Sequence, residues 1–233
     1  MVTGFQGFPK EFLRFYAELI ENNNRDWFGR NKQRYKDVVV YPMCDFIEAI
    51  APRLEAIAPT YIADPRPNGG SMFRIYRDVR FSRDPKPYKE HAACQFRHQA
   101  GRDAHAPGFY VHLALDGVRF GGGIYLPPAP ILTKIRHAID EKSADWNAIK
   151  NDPDFRKTFP DGIRGDGLKR APKGFPIDHP EIEDLRRKTL FVMKPLLTVE
   201  GITKPDFIDE VEDAFQKATP FMRFLTNAVD LPF

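Results

Sequence analysis

The chain has 233 residues, of which 42% are hydrophobic and 29% charged, a composition typical of folded proteins and unlike that of disordered or collagenous ones. A chain of this length buries roughly 70% of its unfolded surface, so it requires neither disulfides nor a structural metal. Its 35 Lys and Arg exceed its 32 Asp and Glu by three charges, which excludes recognition of nucleic acid or membranes by bulk charge alone.

The start of the chain lacks the basic residues and apolar stretch of a secretory signal. The longest apolar stretch, residues 38–44, contains Pro42 and is shorter than the ~18 residues that cross a bilayer. Cys44 and Cys94 show no CxxC spacing, and we interpret them as buried thiols. We therefore expect a cytoplasmic protein that does not enter the membrane.

Helical patterns open the chain. Apolar residues recur at helical spacing after Pro9, and the run of asparagines at residues 22–24 predicts the end of this first helix. Asp26 is the predicted N-cap of a second helix. Pro42 should kink or break that helix before its apolar face continues to Ile57.

A loop rich in proline and glycine, residues 63–71, separates these helices from a predicted sheet. The candidate strands are residues 72–76, 92–98, 109–115, 118–125 and 189–193, and the later helical patterns are residues 131–149, 154–159, 180–188 and the chain from Pro205 onward. The sequence thus predicts one α+β domain over residues 1–233. Its mainly antiparallel sheet, at about residues 72–125, is flanked by N-terminal and C-terminal helices.

Asp116 and Gly117 predict a type I′ hairpin turn. With these two residues at the centre of the turn, the predicted pairs are Leu115 with Val118, Leu113 with Phe120, Val111 with Gly122 and Phe109 with Ile124. The opposite face of the sheet then carries Tyr110 and His112 beside Arg119, Gly121 and Gly123. Two interpretations of the glycine triplet are open: the floor of a pocket under Tyr110 and His112, or a bulge packed under a helix.

Residues 72–89 carry six cations and two carboxylates, a charge of +4 in a chain whose total is +3. The cations are Arg74, Arg77, Arg80, Arg83, Lys86 and Lys89, the acids are Asp78 and Asp84, and the aromatic neighbours are Phe73, Tyr76, Phe81 and Tyr88. Charges this close repel one another unless they are solvated, paired or facing an anion.

Three explanations of this basic segment are open. The first is an anion pocket, because arginine binds carboxylate or phosphate with two parallel hydrogen bonds. In that case Arg74, Tyr76 and His112 share a polar face if residues 72–76 form a strand with Phe73 and Ile75 buried. The second is an internal network that pairs these cations with Asp78, Asp84 and the acids of the terminal helix. The third is a nucleic-acid surface with bases stacked on the aromatic rings.

Several stretches carry a family resemblance: FRIYRDVRFSRDPKPYK at residues 73–89, NNNRDWF at 22–28, GFYVH at 108–112, GGGIYLP at 121–127, LKRAPKGF at 168–175 and DHP at 178–180. On these residues the chain resembles a bacterial and fungal family known as domain of unknown function 2461. The resemblance implies one domain over nearly the full chain and brings no established activity. Pro85 and Lys86 depart from the usual Asp-Lys-x-Pro-Tyr-Lys of that family, and Tyr125 stands where tryptophan is common.

We expect the polar sheet face and residues 77–89 to form a pocket for a small anionic molecule, a phosphate or a carboxylate. The catalytic candidates for proton transfer are His112 and Asp78. The ligand-binding candidates are Arg74, Arg77, Arg80, Asp84, Lys86, Tyr88, Lys89, Tyr110, Gly121 and Gly123. If the pocket is catalytic, hydrolysis or transfer on such a substrate is the nearest reaction class. The alternative is a binding module for nucleic acid or protein.

The sequence identifies no cofactor. We expect no metal site, because His91, His98 and His105 share no helical face and HExxH is absent. Asp178 and His179 can be interpreted as a catalytic dyad or as a helix start. In the second interpretation Asp178 is the N-cap, Pro180 lies in the first turn and Glu181 completes a capping box, which explains three residues at once.

Overall fold

The computed structural model describes residues 4–80, 84–101 and 105–233. Its α-helices are α1 (Lys10–Glu21), α2 (Arg25–Tyr35), α3 (Tyr41–Ile57), α4 (Ala129–Glu141), α5 (Ser143–Asn151), α6 (Pro153–Thr158), α7 (Ile182–Arg186) and α8 (Phe207–Ala228). Its strands are β1 (Tyr61–Ile62), β2 (His91–His98), β3 (Gly108–Ala114), β4 (Gly117–Ile124) and β5 (Leu190–Pro195). The predicted α+β class is confirmed.

The N-terminal helices follow the predicted order with one correction. Asn24, not Asp26, caps α2, and its side-chain oxygen accepts a hydrogen bond of 2.9 Å from the backbone N–H of Trp27. The predicted interruption near Pro42 takes the form of a π-helical turn, Lys36–Val40, that joins α2 to α3. Because proline lacks an N–H and crowds the carbonyl four residues earlier, a widened turn just before it accommodates the ring.

The five strands form one antiparallel sheet in the order β1-β2-β3-β4-β5. The prediction of a strand at residues 72–76 is wrong, because this segment changes partner along its length. Met72 forms an isolated bridge with Cys94 of β2, whereas Tyr76 bridges to Tyr88. The segment thus follows one edge of the sheet and then turns to pair with the residues that lead into β2.

The predicted hairpin is present, but the register and the turn type that were predicted for it are wrong. Leu115 and Asp116 are the turn residues, and Ala114 pairs with Gly117, which opens β4 with φ +149°. Neither turn residue has a positive φ, as a type I′ turn requires. The true pairs include Leu113 with Val118, Val111 with Phe120 and Phe109 with Gly122. A slip of two residues preserves side-chain alternation, so the predicted faces are correct.

Helix α8 covers the apolar face of the sheet. The ring of Phe215 lies 4.8 Å from that of Phe109 and 5.8 Å from that of Phe96, measured between centroids. All three side chains are fully buried, as is Cys94 on β2. The other face of the same strands is left for polar side chains.

The first helical pattern after the hairpin forms two helices instead of one. The pattern at residues 131–149 divides into α4 and α5 at Lys142, whose backbone leaves the helical region with φ −118° and ψ 40°. Within the described residues, no helix combines the length and apolar character needed to cross a membrane.

Candidate functional site

The polar face of the sheet brings together side chains from three neighbouring strands. His112 on β3 lies opposite Ala93 on β2 and Arg119 on β4. Tyr110, two residues earlier on β3, lies opposite Gly121. The side chains of Tyr110 and His112 are half-buried and that of Arg119 is exposed, so solvent reaches this face.

Two histidines lie in contact on this face. His91, at the start of β2, is a diagonal cross-strand neighbour of His112, and their ring centroids are 4.4 Å apart with the rings tilted by 36°. The hydroxyl oxygen of Tyr110 lies 3.1 Å from Nδ1 of His112, and which atom donates depends on the imidazole tautomer. The two rings and the phenol therefore form one connected group.

Burial decides the protonation of these groups. It is the largest cause that lowers the pKa of His112 to about 4, and the neighbouring His91 and Arg119 lower it further. Burial and the charge of Lys89 also lower the pKa of His91. Burial raises the pKa of Tyr110 to about 12. At neutral pH both imidazoles are therefore uncharged and the phenol is protonated.

A lysine and an aromatic ring border the histidine pair. Nζ of Lys89 donates a hydrogen bond of 2.9 Å to the carbonyl oxygen of Arg74 and lies 5.3 Å from the ring centroid of Phe73. Phe73 in turn meets Tyr110 edge to face at 6.2 Å. Burial, with the charge of Arg74, lowers the pKa of Lys89. We name the set Phe73, Lys89, His91, Tyr110, His112 and Arg119 the histidine face.

Phe73 therefore takes the place on this face that the sequence assigned to Arg74 and Tyr76. Its ring is half-buried beside Tyr110, whereas Tyr76 packs against Phe28 with ring centroids 6.2 Å apart. The change of partner along residues 72–76 causes this difference, because a segment that bends between two partners does not keep strict alternation.

Much of the predicted basic site is paired within its own loop. Arg77 contacts Asp84 at 2.7 Å and the carbonyl oxygen of Lys86 at 3.1 Å. Arg80 donates two hydrogen bonds to Asp78, at 2.9 and 2.7 Å. These pairs lower the pKa of both carboxyl groups. Arg83 lies outside the described residues.

The internal ion-pair network extends beyond this loop in a different direction from the predicted one. Lys86 contacts Glu90 at 2.8 Å. The acids of α8 that were expected to pair with the loop contact other cations: Asp209 and Glu212 contact Arg53, and Glu210 contacts Lys194. Exposed pairs of this kind contribute about 0–1 kcal/mol each. They engage Arg77, Arg80 and Lys86, whereas Lys89 lies on the histidine face.

Tyr88 is a core residue. Its side chain is 5% exposed, and its ring stacks on Phe28 with centroids 4.1 Å apart. Asn23 holds the same residue by its backbone: Nδ2 donates to the Tyr88 carbonyl at 3.0 Å, and Oδ1 accepts from the Tyr88 N–H at 3.2 Å. These contacts account for Tyr88 by packing, and they join the 22–28 and 73–89 stretches of the chain.

The glycine triplet is explained by close packing of neighbouring elements. A Cβ at Gly121 would lie 2.0 Å from the carbonyl oxygen of Val192 on β5. A Cβ at Gly122 would lie 2.6 Å from the sulfur of Met222 on α8. Gly123 has φ +153° and meets the backbone of β5 in the same way. The strand pairing runs through the triplet without the predicted bulge, and close packing against α8 and β5 accounts for the three glycines.

Among the predicted site residues, the structure brings Tyr110, His112 and Lys89 to one face and leaves Asp78 with Arg80. Sequence reasoning missed His91, and it missed Arg119 as the partner of His112. The register explains the second omission, since the slip of two residues placed Gly121 opposite His112 in the prediction. Strand alternation through residues 89, 91 and 93 was the signal that could have identified His91.

A second cluster of titratable groups ties α5 to α7. Lys150 forms ion pairs with Glu181 and, at 2.8 Å, with Asp184, both of which are buried. His179 contacts Asp140, with Nε2 and Oδ1 2.9 Å apart, so the Asp178 and His179 dyad does not form. The predicted capping box is wrong as well, because the Glu181 carboxylate bonds Asn147 and Lys150 instead of a backbone N–H.

A groove that could hold a ligand lies away from the histidine face. A groove of about 470 Å³ runs between the start of α2 and the loop after Val79 and is lined by Asn23, Asn24, Arg25, Val79, Pro85, Lys86 and Pro87. Across residues 4–80, 84–101 and 105–233, no three His, Cys, Asp or Glu side chains are placed to share a metal ion.

Comparison with known proteins identifies the chain at the level of family. No curated protein and no solved structure matches it. Residues 11–224 match a family described as conserved hypothetical protein DUF2461. This span contains the asparagine stretch before α2, the basic segment, the hairpin strands and most of α8. The chain belongs to the conserved hypothetical protein family DUF2461.

Proposed function

We propose that the histidine face binds a small anion, a phosphate or a carboxylate. One observation carries this proposal: Lys89, Arg119 and the His91–His112 pair meet on a face that solvent reaches. Each neutral imidazole offers one N–H donor, and the two cations supply charge. Partial burial strengthens hydrogen bonds to an anion relative to those on an open surface.

The same groups support proton transfer to or from a bound anion. Tyr110 contacts Nδ1 of His112 and orients the ring, and in the tautomer whose Nδ1–H donates to the Tyr110 hydroxyl the neutral ring presents Nε2 as a proton acceptor instead of a donor. Asp78 does not share this role in the proposal, because Arg80 engages it. Hydrolysis or transfer on a phosphate or carboxylate remains the reaction class that we propose if the face is catalytic.

A second candidate is the binding of single-stranded nucleic acid. It is favoured by two aromatic side chains, Phe73 and Tyr110, that lie among cations on an accessible sheet face. Sheet faces of this composition stack bases on aromatic rings and hold the phosphates with Lys or Arg. This candidate uses the same side chains and differs in the size of the ligand.

Lys89→Gln and Lys86→Gln are the matched variants that test the proposal. Both remove one positive charge from the same segment, but Lys89 lies on the histidine face and Lys86 contacts Glu90 away from it. Phosphate and citrate should raise the melting temperature of the wild type and of Lys86→Gln. They should have a much smaller effect on Lys89→Gln, with circular dichroism confirming that the variant is folded.

Equal responses of the two variants would place the anion elsewhere and overturn the proposal. A short RNA oligonucleotide, followed by fluorescence anisotropy, tests the second candidate. Salt-sensitive RNA binding without any response to phosphate or citrate would replace the small-anion proposal with the nucleic-acid one.

A further inference from the structure

We propose that a groove between α8 and the junction of α4 with α5 binds an aliphatic monocarboxylate of medium chain length. This groove, which we name the α8 groove, has a volume of about 380 Å³. It contains no residue of the histidine face. The inference is therefore independent of the proposed function and concerns a second site.

The apolar part of the lining lies deeper than the polar part. Ala138 of α4, Ile149 of α5 and both Phe224 and Ala228 of α8 line the groove and are half-buried. The ring of Phe224 lies 4.9 Å from the ring of Trp146, which is fully buried. The groove thus reaches down to the hydrophobic core, and a hydrocarbon chain that covers its floor removes apolar surface from water.

Polar side chains border this floor and can hold a carboxylate. Arg223 and Asn227 are exposed lining residues four positions apart on α8, so their side chains are neighbours on one face of the helix. The guanidinium carbon of Arg223 lies 4.7 Å from the ring centroid of Phe233, and no carboxylate of the described residues pairs with it. A guanidinium and an adjacent amide offer several N–H donors to the two oxygens of one carboxylate.

The charges of the lining favour a ligand with a single negative charge. Lys142, at the junction of α4 with α5, is the second lining cation, and Asp145 is the lining anion. Two positive charges against one leave 2 − 1, a surplus of one positive charge. Glu141, next to Lys142 in the chain, does not line the groove. A second negative charge on the ligand would meet Asp145 or the apolar floor.

The size of the groove limits the length of the ligand. Its volume is near the lower end of the ~300–1,000 Å³ that is common for small-molecule sites. A single hydrocarbon chain of moderate length fits this space, whereas a lipid with two long chains does not.

Isothermal titration calorimetry with butanoate, hexanoate and octanoate, each below its micelle concentration, tests the ligand class. We expect one molecule to bind per chain, with an affinity that rises about fourfold for each added CH₂ group that is buried. Octylammonium has the same chain as octanoate and a positive head group, and it should bind much more weakly. Equal affinities for the three carboxylates, equal affinities for octanoate and octylammonium, or no saturable binding would overturn the inference.

Arg223→Gln and Lys217→Gln are the matched variants that locate the site. Both remove one cation from α8, but Lys217 contacts Asp154 outside the groove. Arg223→Gln should weaken octanoate binding about tenfold or more, the usual worth of a hydrogen bond to a charged group, and Lys217→Gln should leave it within about twofold of wild type. Circular dichroism confirms that both variants are folded.

Ala138→Phe fills the apolar part of the groove and should abolish octanoate binding. If this variant does not fold, the chain-length series and the Arg223→Gln variant decide the question. Wild-type affinity for octanoate in Arg223→Gln would overturn the inference. That result would leave the anion-binding proposal standing, because the histidine face is tested with phosphate and citrate at other residues.

Discussion

Replacing Asn23 with alanine tests how the basic segment is held against the N-terminal helices. The side-chain amide of Asn23 makes three hydrogen bonds to residues more than 60 positions away: two to the backbone of Tyr88 and one of 2.9 Å to the carboxylate of Glu90. Asn23→Ala removes all three and leaves the partly buried N–H of Tyr88 without its partner.

The expected loss follows from these bonds. At about 1 kcal/mol of net stability for each hydrogen bond, the variant should lose about 2–3 kcal/mol. For a protein of this size that corresponds to a fall in melting temperature of about 5–10 °C. Urea denaturation followed by circular dichroism measures the free energy of unfolding, and a thermal scan measures the midpoint.

Asn24→Ala is the matched control, since it removes an exposed N-cap hydrogen bond from the neighbouring residue. Loss of such a cap costs about 1 kcal/mol. Our account requires Asn23→Ala to be clearly the more damaging of the two. A loss no larger than that of Asn24→Ala would refute the claim that Asn23 anchors the basic segment.

Two further predictions concern stability. Lys150→Met should cost about 3 kcal/mol at pH 7, because it leaves buried carboxylates without their cation. Burial alone would raise the pKa of Asp184 in the folded state, but hydrogen bonds from Lys150 and a tryptophan outweigh it and lower that pKa. The stability from these contacts is therefore present above the pKa of the unfolded state and is lost as the pH falls through the pKa of the folded state. Urea denaturation at pH 7 and about pH 3 should show the difference from wild type shrinking in acid; an unchanged difference would contradict it. Gly122→Ala should cost about 1–3 kcal/mol, and Gly121→Ala should cost more. The reason is that the Cβ added at Gly121 meets backbone atoms, whereas the Cβ added at Gly122 meets a flexible methionine. The reverse order in the same assay would contradict the packing explanation.

The sequence predicts which face of the sheet a side chain lies on better than it predicts which residue that side chain contacts. Side-chain alternation placed Tyr110 and His112 on the polar face, and a register error of two residues left that assignment intact. The same error hid the direct pairing of Arg119 with His112, because a turn of two residues can be drawn around different pairs of positions. The turn residues are Leu115 and Asp116. The glycine with a positive φ follows them and is the first residue of β4, not a residue of the turn.

Contacts between distant stretches could not be predicted from spacing. The stacking of Tyr88 on Phe28 and the pairing of Arg77 with Asp84 depend on how a loop folds back, and one strand pattern is compatible with several such paths. Charge composition correctly identified the basic segment as unusual. It did not separate Lys89, which reaches the histidine face, from the cations that are paired within the loop.

The location of the bound anion is the central claim, and NMR measures it most directly. Phosphate is titrated into isotope-labelled protein while backbone amide and imidazole resonances are followed. We predict that the shifts concentrate at His91, His112 and Arg119, with saturation at a common affinity. Shifts centred on Arg25 and Lys86, in the groove beside α2, would contradict the account, as would the absence of any saturating shift.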